Sequence, residues 1–371
     1  MKRTVFSAVL AAAIIEATAG AALAQRSDAV GAVYTATNNL SGNSVLLFDR
    51  GVDGWLQYVG AFATGGTGSG NGLGNQSGLA LTADGKFVVV VNAGSNDLSV
   101  LQTTGTGLAL RDRKPSGGVR PISVAINGRL VYVLNNGSFI GGTDTLVGFR
   151  LSRDGVLTPI PGSTRGLSAP GVGPAQVALS GDGATLVVTE KATSRLDVFD
   201  VKDDGRLGAM NVFASSGQTP FGFAFGKHDQ FFVSEAFGGA SDASAISSYQ
   251  VTGTASISLV SPSIPTTETA ACWVVVAPDA RFLYTTNAGS GTVSGYSIRP
   301  DGTVALLDND GVTGVTGAGV ADVTLASNGR YLYALRSGAG AIAMFRVEDH
   351  GGLTALGTMS LPAGANGIAA R

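Results

Sequence analysis

Thiols and imidazoles are nearly absent from this chain. Cys272 is its only cysteine, which excludes an internal disulfide and a cysteine-rich metal site. His228 and His350 are its only histidines. With no Gly-x-Ser-x-Gly elbow either, little remains from which to build a Ser-His-Asp triad or a histidine metal site. Charge is scarce too: 13% of residues are charged and the formal net charge is −2. Without a basic stripe to neutralise phosphates, nucleic acid is not an expected partner. Beyond the first residues no apolar run approaches the roughly 20 residues that cross a bilayer as a helix. No membrane association is therefore expected once the N-terminal segment is removed.

Glycine is what the chain has in abundance, 55 of 371 residues. It is interspersed with Val, Leu, Thr and Phe, the composition of many short strands joined by tight turns. The first residues read as a targeting segment. Lys2 and Arg3 supply positive charge, Val5 to Ile15 an apolar run, and Ala22-Leu23-Ala24 a small-x-small cleavage site before Gln25. Residues 1–24 are thus expected to be a signal peptide and 25–371 a single domain, periplasmic or secreted. An exported chain without disulfides must be held together by its core, which a large closed ring can supply.

Self-similarity defines that ring. Val177-Ala-Leu-Ser-Gly-Asp-Gly-Ala-Thr-Leu-Val-Val-Thr-Glu190 and Val274-Val-Val-Ala-Pro-Asp-Ala-Arg-Phe-Leu-Tyr-Thr-Thr-Asn287 share one frame. Each is an apolar strand, a turn, and a second apolar strand ending on a polar residue. The turn markers Asp84, Asn127, Asp182, His228, Asp279 and Asn328 fall 43, 55, 46, 51 and 49 residues apart, the spacing of propeller blades. A second half follows in each repeat, such as Leu98-Ser-Val, Leu196-Asp-Val-Phe and Val293-Ser-Gly-Tyr, with a turn like Asp204-Gly205 and a last short strand. The first repeat begins at Gly31–Thr37, which matches a second strand, so its innermost strand is missing. Asn366-Gly-Ile-Ala-Ala-Arg371 matches the start of an innermost strand. Six whole repeats and one split repeat predict an all-β, seven-bladed propeller of four-stranded antiparallel blades. The C-terminal strand completes the first blade and leaves no open edge.

The frame around Tyr284-Thr-Thr-Asn287 resembles the YVTN-repeat and lactonase-like seven-bladed propellers, which include 6-phosphogluconolactonase and carboxymuconate cyclase homologues. The resemblance covers essentially the whole domain and implies hydrolysis of a sugar lactone or related cyclic ester. Hydrolytic members open an innermost strand with Gly-Pro-Arg-His and end the next with Asn-Glu. This chain has Gly173-Pro174-Ala175-Gln176 and Thr189-Glu190 at those places. Glu190 is carried over. The Arg-His pair is replaced by Ala175-Gln176, which removes the cation that would polarise a lactone carbonyl.

In an antiparallel pair the start of the first strand lies beside the end of the second, so both reach one mouth of the central channel. The second strands end on Thr37, Asn92, Asn135, Glu190, Glu235, Asn287 and Arg336, all polar. The first strands begin at Gly78, Ser123, Gln176, Gly222, Trp273, Asp322 and Gly367. An enzyme built here would use Glu190 and Glu235 as acid and base and Arg336 to polarise a carbonyl. Asn92, Asn135, Gln176, Trp273, Asn287 and Asp322 would hold a small molecule or glycan. The alternative is a non-catalytic propeller that binds a small molecule, glycan or protein through its mouth or through rim loops at Gly137–Thr143, Ser163–Gly173 and Gly238–Ala245. Trp273 either packs between blades or lines the mouth, and Cys272 is expected to be a buried, inert thiol. His228 belongs to a turn at the opposite face and His350 to an outer turn. No cofactor or metal is expected. Asp308-Asn-Asp-Gly311 lacks the remaining ligands of a calcium loop. Gly66–Gly74 lacks phosphate-loop spacing and reads as a flexible connection between blades.

Overall fold

The computed structural model describes residues 28–371; the expected signal peptide lies outside the described residues. Seven antiparallel sheets, each four strands deep, form the blades. In blades 3 and 6 the outermost strand is broken in two, at Leu157–Pro159 with Arg165–Gly166 and at Val304–Leu306 with Gly314–Val315. The innermost strands of blades 1 to 7 are Asn366–Ala370, Leu79–Leu81, Pro121–Asn127, Pro174–Leu179, Pro220–Phe225, Ala271–Val276 and Asp322–Leu325. Each touches the next, and the last returns to the first.

Closure takes the expected form. Ala29–Ala36 pairs with Asn366–Ala370 in antiparallel register, Val33 opposite Ala370 and Thr35 opposite Ile368. Thr35 Oγ1 donates to the Gly367 carbonyl at 2.6 Å, and the Arg371 amide to the Ala32 carbonyl at 2.9 Å. No edge is left inside the ring.

The second strands are apolar on both sides because a blade is covered on both faces by its neighbours. Every residue of Phe87–Asn92, Thr185–Glu190, Gln230–Glu235 and Phe282–Asn287 is buried. Tyrosines in three of the second strands reach across to the outer turn of the following blade. Tyr132 donates to the Gly205 carbonyl (2.7 Å), Tyr284 to Gly351 (2.8 Å) and Tyr333 to Gly54 (2.8 Å). All three accepting glycines have positive φ, at 76°, 90° and 82°, a conformation that a side chain would strain. Each tie satisfies a hydroxyl that burial would otherwise leave costly. His228 and His350 lie in turns, as expected.

Candidate functional site

The polar ends of the second strands grip the chain around them. Asn92 donates to Asp97 Oδ1 (2.6 Å) and Ser99 Oγ (2.8 Å) and accepts from Thr64 Oγ1 (2.8 Å) and Asn43 Nδ2 (2.9 Å). Asn287 donates likewise to Thr292 Oγ1 (3.0 Å) and Ser294 Oγ (2.8 Å), and Asn135 to Thr145 Oγ1 (3.4 Å). Glu190 accepts from the Ser168 amide (3.1 Å), Ser168 Oγ (2.7 Å) and Thr193 Oγ1 (2.5 Å). Glu235 accepts from the Gly217 amide (2.7 Å), Ser247 Oγ (2.6 Å) and Ser263 Oγ (2.7 Å). Thr64, Ser168 and Gly217 all lie on links between successive blades, so these side chains fasten one blade to the next.

Glu190 and Glu235 are both 0% exposed, and no residue donates to both. The expectation that they face a shared open mouth is therefore not met. Asn92, Asn135 and Asn287 are equally buried and face no opening either. Arg336 is partly exposed but turned to its own blade's link, where Nε donates to the Ala318 carbonyl at 3.1 Å. Beside Glu190 stands Asp197, whose carboxyl is pushed up to about 8 by burial and then by the Glu190 carboxylate. Both causes favour the protonated form, and a proton there relieves the repulsion between two buried acids.

The axis at this face is stoppered by the chain itself. The Gln76 amide N–H donates to the Ala175 carbonyl (3.2 Å), while its side chain pairs with the Val274 backbone through Nε2 (2.7 Å) and Oε1 (3.0 Å). Asn75 donates to the Ile122 carbonyl and accepts from Asn366 Nδ2 (2.9 Å), and its carbonyl takes the Trp273 indole N–H (2.7 Å). Val124 N–H donates to the Ser77 carbonyl at 2.9 Å. The Asp322 carboxylate receives backbone N–H groups of Val323 (2.8 Å), Ile368 and Ser77. Blade 5 contributes Gly222, where a Cβ would meet Gln76 Oε1 at 1.9 Å. Residues 75–78 thus engage all six other blades.

Three residues expected to line the mouth serve this plug and the strands around it. Gln176 spans to blade 5, pairing with Phe223 through Nε2 (2.9 Å) and Oε1 (2.7 Å). Trp273 is 7% exposed and stands edge-on to Phe221 with centroids 5.3 Å apart, which places it as packing. Asp322 is the third. Gly66–Gly74, expected to be flexible, is pinned: the Gly68 and Gly70 amides donate to the carbonyls of Asn39 (2.7 Å) and Asn38 (2.9 Å). Gly68 runs so close to Asn38 that a Cβ would meet its backbone at 2.0 Å. Asp308–Gly311 forms a turn, closed by the Gly311 amide on the Asp308 carbonyl at 2.8 Å.

Two cations outside the expected set stand over the plug. Lys191 follows Glu190 directly and is partly exposed; its ammonium donates to the Gly74 carbonyl and lies 4.8 Å from the Phe221 ring centroid. Burial lowers its pKa to about 8, and the neighbouring Cys272 opposes that shift. Arg120, with φ of 57°, stacks 3.9 Å over Phe139 and donates to the Gly72 carbonyl at 3.3 Å. Burial lowers its pKa as well. Cys272 is buried and its thiol is pushed up to about 12 by desolvation, the inert state expected of it. Lys191 was findable by extending the strand-end set by one residue, whereas Arg120 carries no such mark. No group of three or more His, Cys, Asp or Glu suited to a metal ion stands together among the described residues.

No protein-family model and no curated protein matches this chain. Solved structures do. A candidate 6-phosphogluconolactonase of Bacteroides fragilis superimposes with a TM-score of 0.72 at 17% identity, over 94% of this chain and 99% of that one. A second candidate 6-phosphogluconolactonase, from Bacteroides uniformis, gives 0.71 at 19%, over 93% and 100%. The periplasmic gluconolactonase PpgL of Pseudomonas aeruginosa gives 0.71 at 15%, over 91% and 98%. At such identities the likeness concerns the fold, and the fold is that of the lactonase-like seven-bladed propellers.

Proposed function

We propose that this is an exported lactonase-like propeller. It takes a small, oxygen-rich ligand over the plug, a sugar lactone or the corresponding anionic sugar acid. The observation that carries the reading is the Lys191 ammonium, only partly exposed and held between the Gly74 carbonyl and the Phe221 ring. A cation in that setting, with Arg120 for company, attracts a carboxylate or phosphate and polarises a lactone carbonyl more strongly than it would in water. It stands in for the charge lost where Ala175-Gln176 replaces Arg-His. The residue pattern of 1–24 and the fold likeness to a periplasmic gluconolactonase support export to the periplasm or beyond.

A specific observation favours binding without turnover as the second reading. Glu190 and Glu235 are shut inside their hydrogen-bond cages, out of contact with a ligand over the plug, so acid/base work would require a cage to open. Calorimetry with gluconate and 6-phosphogluconate, beside a lactone-hydrolysis panel, separates the cases. Lys191→Met is expected to weaken anion binding about tenfold or more, the scale of one buried charge-assisted contact. Turnover abolished by Glu190→Gln or Glu235→Gln establishes the hydrolase. Binding without turnover establishes the second reading, and no binding of either anion refutes the site.

A further inference from the structure

Beneath the plug the axis is hollow. A cavity of about 410 Å³ opens among the turns between first and second strands, near Pro278 and Ser327. This is the face opposite the plug, and the volume lies within the range of small-molecule pockets, about 300–1,000 Å³. Its walls mix apolar side chains, Leu79, Phe225, Val276 and Leu325 among them, with polar ones such as Gln76 and Thr324, and Asp322 is the only ionisable residue lining it among the described residues. Three backbone N–H groups point at that carboxylate, and no side-chain cation figures among the groups acting on it. An ionised carboxylate offers about four acceptor sites, so one remains after those three.

We propose that this cavity binds a small amphipathic ammonium, a short alkyl- or cycloalkylamine, with its charged head on Asp322 and its apolar body along the channel walls. Asp322 gives such a guest charge complementarity within a shaped space. Burial without a counter-ion pushes the Asp322 carboxyl up to about 8, and a cation beside it draws off that proton and pairs with the carboxylate left behind. An anion or a neutral guest offers the acid no counter-charge.

The test titrates the purified protein with cyclohexylamine at neutral pH by calorimetry, with cyclohexanol and cyclohexanecarboxylate as isosteric controls. Cyclohexylammonium is expected to bind about tenfold more tightly than cyclohexanol, as a charge-assisted contact requires, and the carboxylate not at all. Asp322→Asn should erase the preference for ammonium over alcohol. Ala178→Phe, which fills the cavity and leaves Asp322 in place, should abolish binding of both; it decides the matter if Asp322→Asn prevents folding. No ammonium binding, equal binding of ammonium and alcohol, or binding that survives Ala178→Phe overturns the proposal.

Discussion

Glu190 and Glu235 occupy the same station on adjacent blades, yet their cages differ by one carboxyl. Around Glu235 every close donor is neutral: the serines at 247 and 263 and the Gly217 amide. Where blade 5 places Ser247 in its third strand, blade 4 places Asp197, with one oxygen 3.1 Å from the same Ser168 amide that Glu190 uses. Both blades surround the buried glutamate with donors, and blade 4 adds a second acid that burial and Glu190 push towards its protonated form. The station requires an acceptor for the adjoining link; it does not require a particular proton count.

The largest effect should come from removing the acceptor outright. Glu235→Leu strands two serine hydroxyls and a backbone N–H, and is expected to cost about 3 kcal/mol or more in chemical denaturation followed by circular dichroism. Glu235→Gln, which keeps an acceptor, should lose less than half of that. A loss shared equally by the two variants would mean that charge, rather than hydrogen bonding, holds the link.

Blade 4 should show its proton in the pH dependence of stability. Below the ordinary aspartate range, about 4, Asp197 is protonated whether folded or not, and its contribution is fully present. Between there and about 8 the folded protein holds a proton that the unfolded chain has released, so stability falls as pH rises, then levels off. Asp197→Asn should flatten that fall in melting temperature between pH 5 and 9. It leaves in place the fall of the same sign from Asp322, also pushed up to about 8 by burial. A slope that Asp197→Asn fails to alter would remove the shared proton from the account. Smallest of all, Ser263→Ala deletes one of Glu235's three close donors and should cost about 1 kcal/mol.

Much of the architecture was legible because it repeats. Strand, turn and polar end recur around the ring, and an innermost strand missing at one end is supplied at the other. The site was less legible because a polar strand end has two physical origins, a solvated rim or a buried clasp, which look alike in isolation. A discriminating mark was present: Ser99, Asp197, Ser247 and Ser294 each interrupt an apolar third strand, and a buried polar group needs a polar partner. Those partners are the strand ends at Asn92, Glu190, Glu235 and Asn287. The plug left no local trace. Asn75-Gln76-Ser77 reads as an ordinary loop, and its partners lie as far as 198 and 291 residues away.

That separation bears on how the ring is made. Asn75 needs Asn366, so the plug cannot seat until the closing strand, 291 residues further on, has emerged from the ribosome. Until then the strand at Ala29–Ala36 carries a bare edge and the axis stands unstoppered, both open to wrong partners. Contacts so distant in sequence form slowly. The molecule is therefore at greatest risk of aggregation as a nascent chain with six blades built and its hub still empty.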